Sequence, residues 1–464
     1  MRVLDGKLKL FRGPAGESCA ECHATGYSPS SNIGGYDDAA RRHGVKVPLR
    51  PAKGTYDKLP QNVKDVSNVY CLACHGPGRL DPPIAEQPGL FGVGVCARCH
   101  DRLPEQTFVH EWRQAKHSKT ISNKVNGPEK RAECARCHSA QGFYYGNFAI
   151  ARPHSTRTAI LNCCETTQPI TCQACHNPMR ATPHKQIYRF GRMKTGSGLS
   201  LDLAGAAALC ATCHNADNDP SVPSTLTERL APHAPQADLT YGRAGFSLPT
   251  SAPIGKPEGR TCVTKTKHGC VTCHMHNGPT PGKRGHLKVG GHTFLTTSSK
   301  ETGRVENIAA CAKCHPKRKR FDAQAKGDFD GDGAVELERD EVRGLLALLK
   351  RGLDQRIVAR NYLSCDAESS PAVSFVRGTR EKIVLVNVSK HDLGDCNKNG
   401  VIEREEKPFT FPDPDLLLHK AAYNYLVVKR DGSFGLHNYP YAVRLLQRSV
   451  AALGPTPSSW TPHR

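Results

Sequence analysis

The pentapeptide Cys-x-x-Cys-His occurs eight times in this chain. The copies are Cys19, Cys22 and His23; Cys71, Cys74 and His75; Cys96, Cys99 and His100; Cys134, Cys137 and His138; Cys172, Cys175 and His176; Cys210, Cys213 and His214; Cys270, Cys273 and His274; and Cys311, Cys314 and His315. Composition alone would supply about 0.04 copies by chance. Two thiols three positions apart lie on one side of a helical turn, where each can add to a vinyl group of the same porphyrin. The adjoining His then offers its imidazole to the iron. A zinc ribbon also uses Cys-x-x-Cys, but it needs a second pair and no following His. The motifs are therefore read as eight covalently bound c-type haems.

That number sets the architecture. The 464 residues leave about 58 per haem, too few for each to carry a large side-chain core of its own. Only 38% of residues are hydrophobic and 6% aromatic, against 42 Gly and 33 Pro. The expected fold is mainly α with extensive loops and little β, a stack of haems wrapped by short helices. Motif starts are 52, 25, 38, 38, 38, 60 and 41 residues apart, which hints at duplication and places motifs two and three close together. The expected segments are 1–215 with haems one to six, an exposed Pro/Ser/Thr-rich loop at 216–261 that could equally be a partner-binding arm, 262–320 with haems seven and eight, an EF-hand-like calcium-binding insert at 321–410, and C-terminal helices at 411–464.

Formal charge is +21, a value that by itself suggests nucleic acid or a membrane surface. Haem propionates offset it, bringing the loaded protein to about +13 oxidised or +5 reduced. Lys317, Arg318, Lys319 and Arg320 are candidate propionate partners or a solvated basic run. No stacking motif or basic helix accompanies the charge, so no nucleic-acid partner is expected. There is no apolar stretch of membrane-spanning length, and Met1 to Gly6 lack an apolar signal region. The resemblance of these motifs to c-type cytochromes nevertheless implies export and haem attachment outside the cytoplasm, so a leader is expected to have been lost upstream or the gene start misassigned.

After His315 the chemistry changes. Asp328, Asp330, Asp332 and Gly333, with the Ala334 carbonyl and Glu336, open an EF-hand loop, but its twelfth position is Arg339. Glu338, Asp340 or Glu341 would have to supply the missing carboxylate. A second loop fits better: Asp395, Asn397, Asn399, Gly400, the Val401 carbonyl, Glu403 and Glu406 occupy all the ligand positions. Calcium is expected at one or both. A helix is predicted over Glu341 to Leu353, another over Asp415 to Arg430, and a third from near His437. Of the five cysteines outside the motifs, Cys365 and Cys396 are read as a disulfide in preference to two buried thiols. Cys163, Cys164 and Cys262 are an odd set with at least one unpaired by the others.

Eight proximal His leave fourteen others, and apart from Met1 only Met179, Met193 and Met275 could serve as sulfur ligands. Bis-His ligation and low potentials are the expectation. Here the chain resembles the multihaem cytochrome superfamily that includes hydroxylamine oxidoreductase, octahaem tetrathionate reductase, the ammonia-forming nitrite reductases and the tetrahaem cytochrome of ammonia oxidisers. The resemblance rests on Cys71–Gly78, Trp112–His117, Cys134–Phe143, Cys270–Met275 and Asp431-Gly432-Ser433 followed by His437-Asn438; it covers 15–315 and 415–450 loosely. It implies His117, His292 and His437 as distal ligands. His43, His110, His154, His184, His268, His276, His286 and His391 are weaker candidates. No motif ends in Lys, so the catalytic haem of the pentahaem nitrite reductases is absent. The fifth motif continues Asn177-Pro178-Met179 where relatives often carry His, leaving Met179 or His184 as the substitute. A Tyr cross-link of the hydroxylamine oxidoreductase type would fall to Tyr144, Tyr145 or Tyr188.

The function expected is an exported octahaem cytochrome, periplasmic or extracellular, passing electrons between redox partner proteins or other cytochromes. The alternatives are an octahaem redox enzyme with one open iron, and a homo-oligomeric extracellular filament.

Overall fold

The computed structural model describes residues 20–28, 30, 32, 34–46, 52, 54–69, 73–74, 92–102, 106–121, 132–147, 167–177, 187, 193–194, 198, 200–201, 206–217, 231–255, 261–266, 268–299, 303–359, 371–376, 382–387, 416–454 and 456–463. Helix dominates, and the described sheet is limited to three two-stranded antiparallel pairs. The chain divides into two compact units, 1–187 with 274–307, and 188–273 with 308–464. These cut across the segments expected from sequence.

In the first unit the described helices are short, and four of the eight carry a motif at their C-terminal end. They are α1 (Ala20–His23), α2 (Tyr36–Arg42), α3 (Gln61–Lys64), α4 (Val93–His100), α5 (Phe108–Gln114), α6 (Ala132–His138), α7 (Ala140–Asn147) and α8 (Cys172–Cys175). Its described side-chain core is small and alanine-rich: Ala20, Ala24, Tyr36, Ala39, Ala40, Leu59 and Val63. Buried Asp37 and Asp38 open α2 by accepting the Ser28 and Gly34 N–H groups at 3.0 and 2.8 Å, which favours negative charge at that end. Helix α5 is tied down at two points. The Trp112 indole donates to the Ile170 carbonyl at 2.8 Å and Gln114 to the Leu287 carbonyl at 2.5 Å.

The second unit departs from expectation. It begins with β1 (Met193–Lys194), β2 (Ser200–Leu201), α9 (Ala206–Ala211), α10 (Gln236–Thr240) and α11 (Cys262–Lys265); α12 (Cys270–His274) carries motif seven. Beyond the small β3 (Thr297–Ser298) and β4 (Val305–Glu306) pair of the first unit come three long helices, α13 (Glu338–Ala359), α14 (Leu416–Asp431) and α15 (Tyr439–Leu453). They bury a conventional core, where a haem-centred molecule was expected to have little. Val342, Leu345, Leu346, Leu349 and Leu353 form one stripe of α13 and meet Leu418, Tyr423, Val427, Tyr441, Leu445 and Leu446. Each such leucine contributes about 1.5–3 kcal/mol on burial. Residues 231–255, expected in an exposed loop, join this core through Ala231, Leu239, Phe246, Leu248 and Ile254.

Polar groups fix its register. Asn424, fully buried, accepts the Phe246 N–H and donates to the Phe246 carbonyl, both at 2.8 Å, and donates to Ser449 Oγ at 2.9 Å. Helix α15 starts after Asn438, whose side chain accepts the Tyr441 N–H. A hairpin of β5 (Pro371–Val376) and β6 (Lys382–Asn387), in register from Pro371–Asn387 to Val376–Lys382, runs beside α13 and α14.

Candidate haem-attachment sites

Where the described residues include the whole motif, its cysteines and histidine lie within a turn or two of chain. In motifs five, six and eight the His N–H bonds to the carbonyl of the first Cys at 2.8, 2.9 and 2.8 Å. That i to i−4 bond brings both thiols and the imidazole to one side of the turn, as one porphyrin and its proximal ligand require. The fourteen described motif cysteines stand as thiols outside any disulfide. Two proximal imidazoles have the bond that fixes the tautomer of a metal-ligating His. His274 Nδ1–H donates to the Phe294 carbonyl at 3.0 Å and His100 Nδ1–H to Gln106 Oε1 at 3.2 Å, leaving Nε2 for iron. On these observations the residues fit covalent haem. Cys19, Cys71 and His75 lie outside the described residues, as do His154, His184, His391 and Met179.

Within the first unit four motifs share one neighbourhood. Cys99 and Cys22 hydrogen-bond, as do Cys96 and Cys172, and Cys74 is near enough to act electrostatically on both Cys96 and Cys99. The proximal imidazoles follow. His176 is pushed down to about 4, by burial first and then by His292 and His100. His23 is lowered by burial first, with His100 adding to it. Burial also lowers His292, against the opposing attraction of Glu111. Neutral imidazole is the form that binds metal. Rings of Phe108 and Phe294 fill between them: Phe108 lies 5.6 Å from His100 and 5.1 Å from His292, and Phe294 lies 4.5 Å from His117. Motif four is carried by α6, which packs on α7, and α7 in turn packs on α8 with motif five.

The second unit pairs motifs six and seven. Cys210 hydrogen-bonds to Cys270 and draws that thiol down to about 7, burial opposing, with His437 adding to the pull. His437, expected as a distal ligand, is therefore beside motif seven. Its Nδ1–H donates to the buried Asp431 Oδ1 at 2.5 Å. Burial lowers its pKa, but the charge and hydrogen bond of Asp431 outweigh this and the net shift is upward. A carboxylate behind an imidazole is the usual support of a metal-bound His.

Other predicted residues are not gathered in this way. His43 is exposed and meets Asn62, His268 is exposed, and His110 is half-buried within α5. His276 and His286 direct Nδ1–H to the Asn277 and Pro279 carbonyls. Arg318 bonds to the Arg320 and Phe321 carbonyls, while Lys317, Lys319 and Arg320 are exposed. Sequence reasoning missed Glu111, the role of Asp431 and the buried His419 on α14. A carboxylate one turn after Thr107 carries no sequence signature of the histidine it supports.

The first acidic loop is formed as a loop should be. Asp328, Asp330 and Asp332 place carboxylate oxygens within 4.8 Å of one another. Asp328 accepts the Gly331 and Gly333 N–H groups at 2.6 and 2.9 Å. Glu341, fully buried, takes the Phe329 and Asp330 N–H groups on Oε2 and the Glu336 N–H on Oε1. Asp340 instead pairs with Arg343, and Glu338 is raised by burial, partly relieved by Arg318. The Arg339 N–H donates to Asp322. The second loop, Asp395 to Glu406, lies outside the described residues, as do Cys163, Cys164, Cys365 and Cys396.

No curated protein matches the sequence. Residues 62–225, which hold five of the eight motifs, match the family described as outer membrane cytochrome MtrC/MtrF-like, domains II/IV. Two solved structures are similar in shape. An undecahaem cytochrome from the S-layer of Carboxydothermus ferrireducens is 19% identical with a TM-score of 0.49, over 95% of this chain and 56% of that one. The outer cell wall cytochrome OcwA is 16% identical with a TM-score of 0.49, over 94% of this chain and 76% of that one. This chain thus spans just over half the length of the first. Among the described residues no helix is long and apolar enough to cross a membrane. The repeated dithiol–imidazole turns and the family match over five of them establish the chain as a multihaem c-type cytochrome.

Proposed function

We propose that this protein is an exported octahaem cytochrome that carries electrons at or beyond the cell surface through a chain of bis-His haems. The observation that carries the reading is the approach of thiols from different motifs: one with three, three with five, and six with seven. Porphyrins held on neighbouring dithiols lie close together, and low-potential haem supplies the one-electron chemistry. The chain's own residues then anchor, orient and insulate. The match to an outer-membrane cytochrome family supports a surface location, and the partners are other redox proteins, other cytochromes or further copies of this chain.

The first acidic loop is the natural seat of a calcium ion, with Asp328, Asp330, Asp332 and the Ala334 carbonyl as oxygen ligands at the spacing calcium uses. Its role is structural, since Glu341 and Gln447 both bond the loop backbone to the three-helix core.

The decisive experiment combines mass, redox titration and electron paramagnetic resonance of the ferric protein. The expected result is eight haems, eight electrons taken up at low potential, and low-spin signals throughout. A high-spin signal that moves with nitrite, hydroxylamine or cyanide would replace this reading with an enzyme having one open iron. Particle imaging that shows ordered fibres would replace a soluble carrier with a filament.

A further inference from the structure

We propose that His292, held in place by Glu111, is the distal axial ligand of the haem on the fifth motif, opposite His176, and that Glu111 is a positioning residue that tunes that iron. The inference rests on the reading of Cys172 and Cys175 as a haem-attachment pair.

The first support is a distance. The His176 and His292 rings have centroids 6.2 Å apart and planes inclined by 27°. They are too far apart to touch face to face. Two imidazoles on opposite sides of one first-row metal have a definite separation. Each metal–nitrogen bond is about 2.0 Å, and a ring of bonds about 1.35 Å long has its centre about 1.15 Å from each atom. The centroids then fall about 6.3 Å apart. His176 follows Cys172 and Cys175 directly, so any iron on this motif must lie at its imidazole.

The second support is the mounting of His292. Its backbone N–H donates to Glu111 Oε2 at 2.8 Å, and its Nδ1 lies 3.9 Å from the same oxygen. The carboxylate therefore sits on the Nδ1 side of the ring, leaving Nε2 for a metal. Glu111 is itself fixed, because Thr107 Oγ1 donates to Oε1 at 2.8 Å, and α5 is anchored through Trp112 and Gln114. The turn that delivers His292 is built for this approach. Gly290 and Gly291 have φ of 79° and 54°, and a Cβ on Gly291 would stand 2.3 Å from Glu111 Oε2. The Gly-Gly-His order thus lets a carboxylate approach a ligand-bearing backbone. A negative charge behind a ligating imidazole increases its basicity and favours ferric iron, so this haem sits lower in potential than it would without Glu111.

The test uses the haem-loaded full-length protein. In H292A one ferric haem is expected to change from low-spin to high-spin by electron paramagnetic resonance, and added imidazole should restore it. H292M, which keeps a ligand on the iron, should show one His/Met near-infrared band and one couple shifted upward. E111Q should leave every haem low-spin yet shift one midpoint upward, with partial recovery in E111D; a purely structural role would not move that midpoint selectively. A density map of the loaded protein assigns the haem. Loss of all haem would sink the attachment reading itself. Haem present, with H292A fully low-spin or with His292 on another iron in the map, would overturn this proposal alone.

Discussion

Replacing Glu341 by Ala tests how the acidic loop is held to the core. The side chain is fully buried and accepts three backbone N–H groups, from Phe329 at 2.7 Å, Asp330 at 3.2 Å and Glu336 at 2.8 Å. Removing it orphans these donors, at about 1–3 kcal/mol for each that water cannot reach. Glu336 is only half-buried, so water refills there, whereas Phe329 and Asp330 are 5% and 7% exposed. The expected loss is therefore about 3–4 kcal/mol from two uncompensated amides and a lost charge-assisted contact. E341Q keeps an acceptor for Phe329 but turns its amide NH2 toward another donor, and should cost about 1–2 kcal/mol. Hydrogen exchange measured by mass spectrometry over 322–345 reads the effect locally. Protection at Phe329 and Asp330 should fall by roughly two to three orders of magnitude in E341A, since about 1.4 kcal/mol is tenfold. Unchanged protection, or a global loss below about 0.5 kcal/mol, would refute the reasoning.

Three further outcomes are expected. Chelation of calcium should lower the melting temperature of the second unit, because an ion bound at about 100 times its dissociation constant contributes about 2.7 kcal/mol; an identical melt with and without chelator removes the ion from that loop. Asn424→Ala should destabilise by about 3 kcal/mol in denaturant titration, because it leaves both backbone groups of Phe246 unpaired in a dry core; a loss under about 1 kcal/mol would mean water enters there. Burial raises Tyr441 to about 12, its bonds with the Gly245 and Ala244 backbone opposing. The unfolded phenol ionises near 10, so stability is held below pH about 10 and falls by about 1.4 kcal/mol per unit up to about 12. Y441F should lose this extra alkaline slope while costing about 1–2 kcal/mol at neutral pH, where the Gly245 N–H lacks its acceptor. Equal alkaline slopes would show that the phenol does not titrate in this range.

Some of this was legible before any coordinates. A dithiol turn is complete within five residues, so its chemistry is encoded where it is used. The helices were nearly as plain: the apolar spacing of Val342 to Leu353 and of Leu416 to Val427 announced α13 and α14, misplacing their ends by at most six residues. The Asp-x-Asp-x-Asp-Gly order likewise described a loop that forms, although the carboxylate tying it down proved to be Glu341, two positions beyond the one that pattern assigns. Residues 231–255 were misjudged because their partners are distant: Phe246 is completed by Asn424, 178 residues away.

Primary structure alone thus laid out the repeated dithiol–imidazole turns and which stretches coil, because both depend on neighbours within a turn or two. Tertiary structure decided which thiol pairs stand together, that Glu111 faces His292 across 181 residues of chain, and that three C-terminal helices bury a core of their own. Such choices follow from the packing of many side chains at once, and no single segment carries enough of that free energy to announce them.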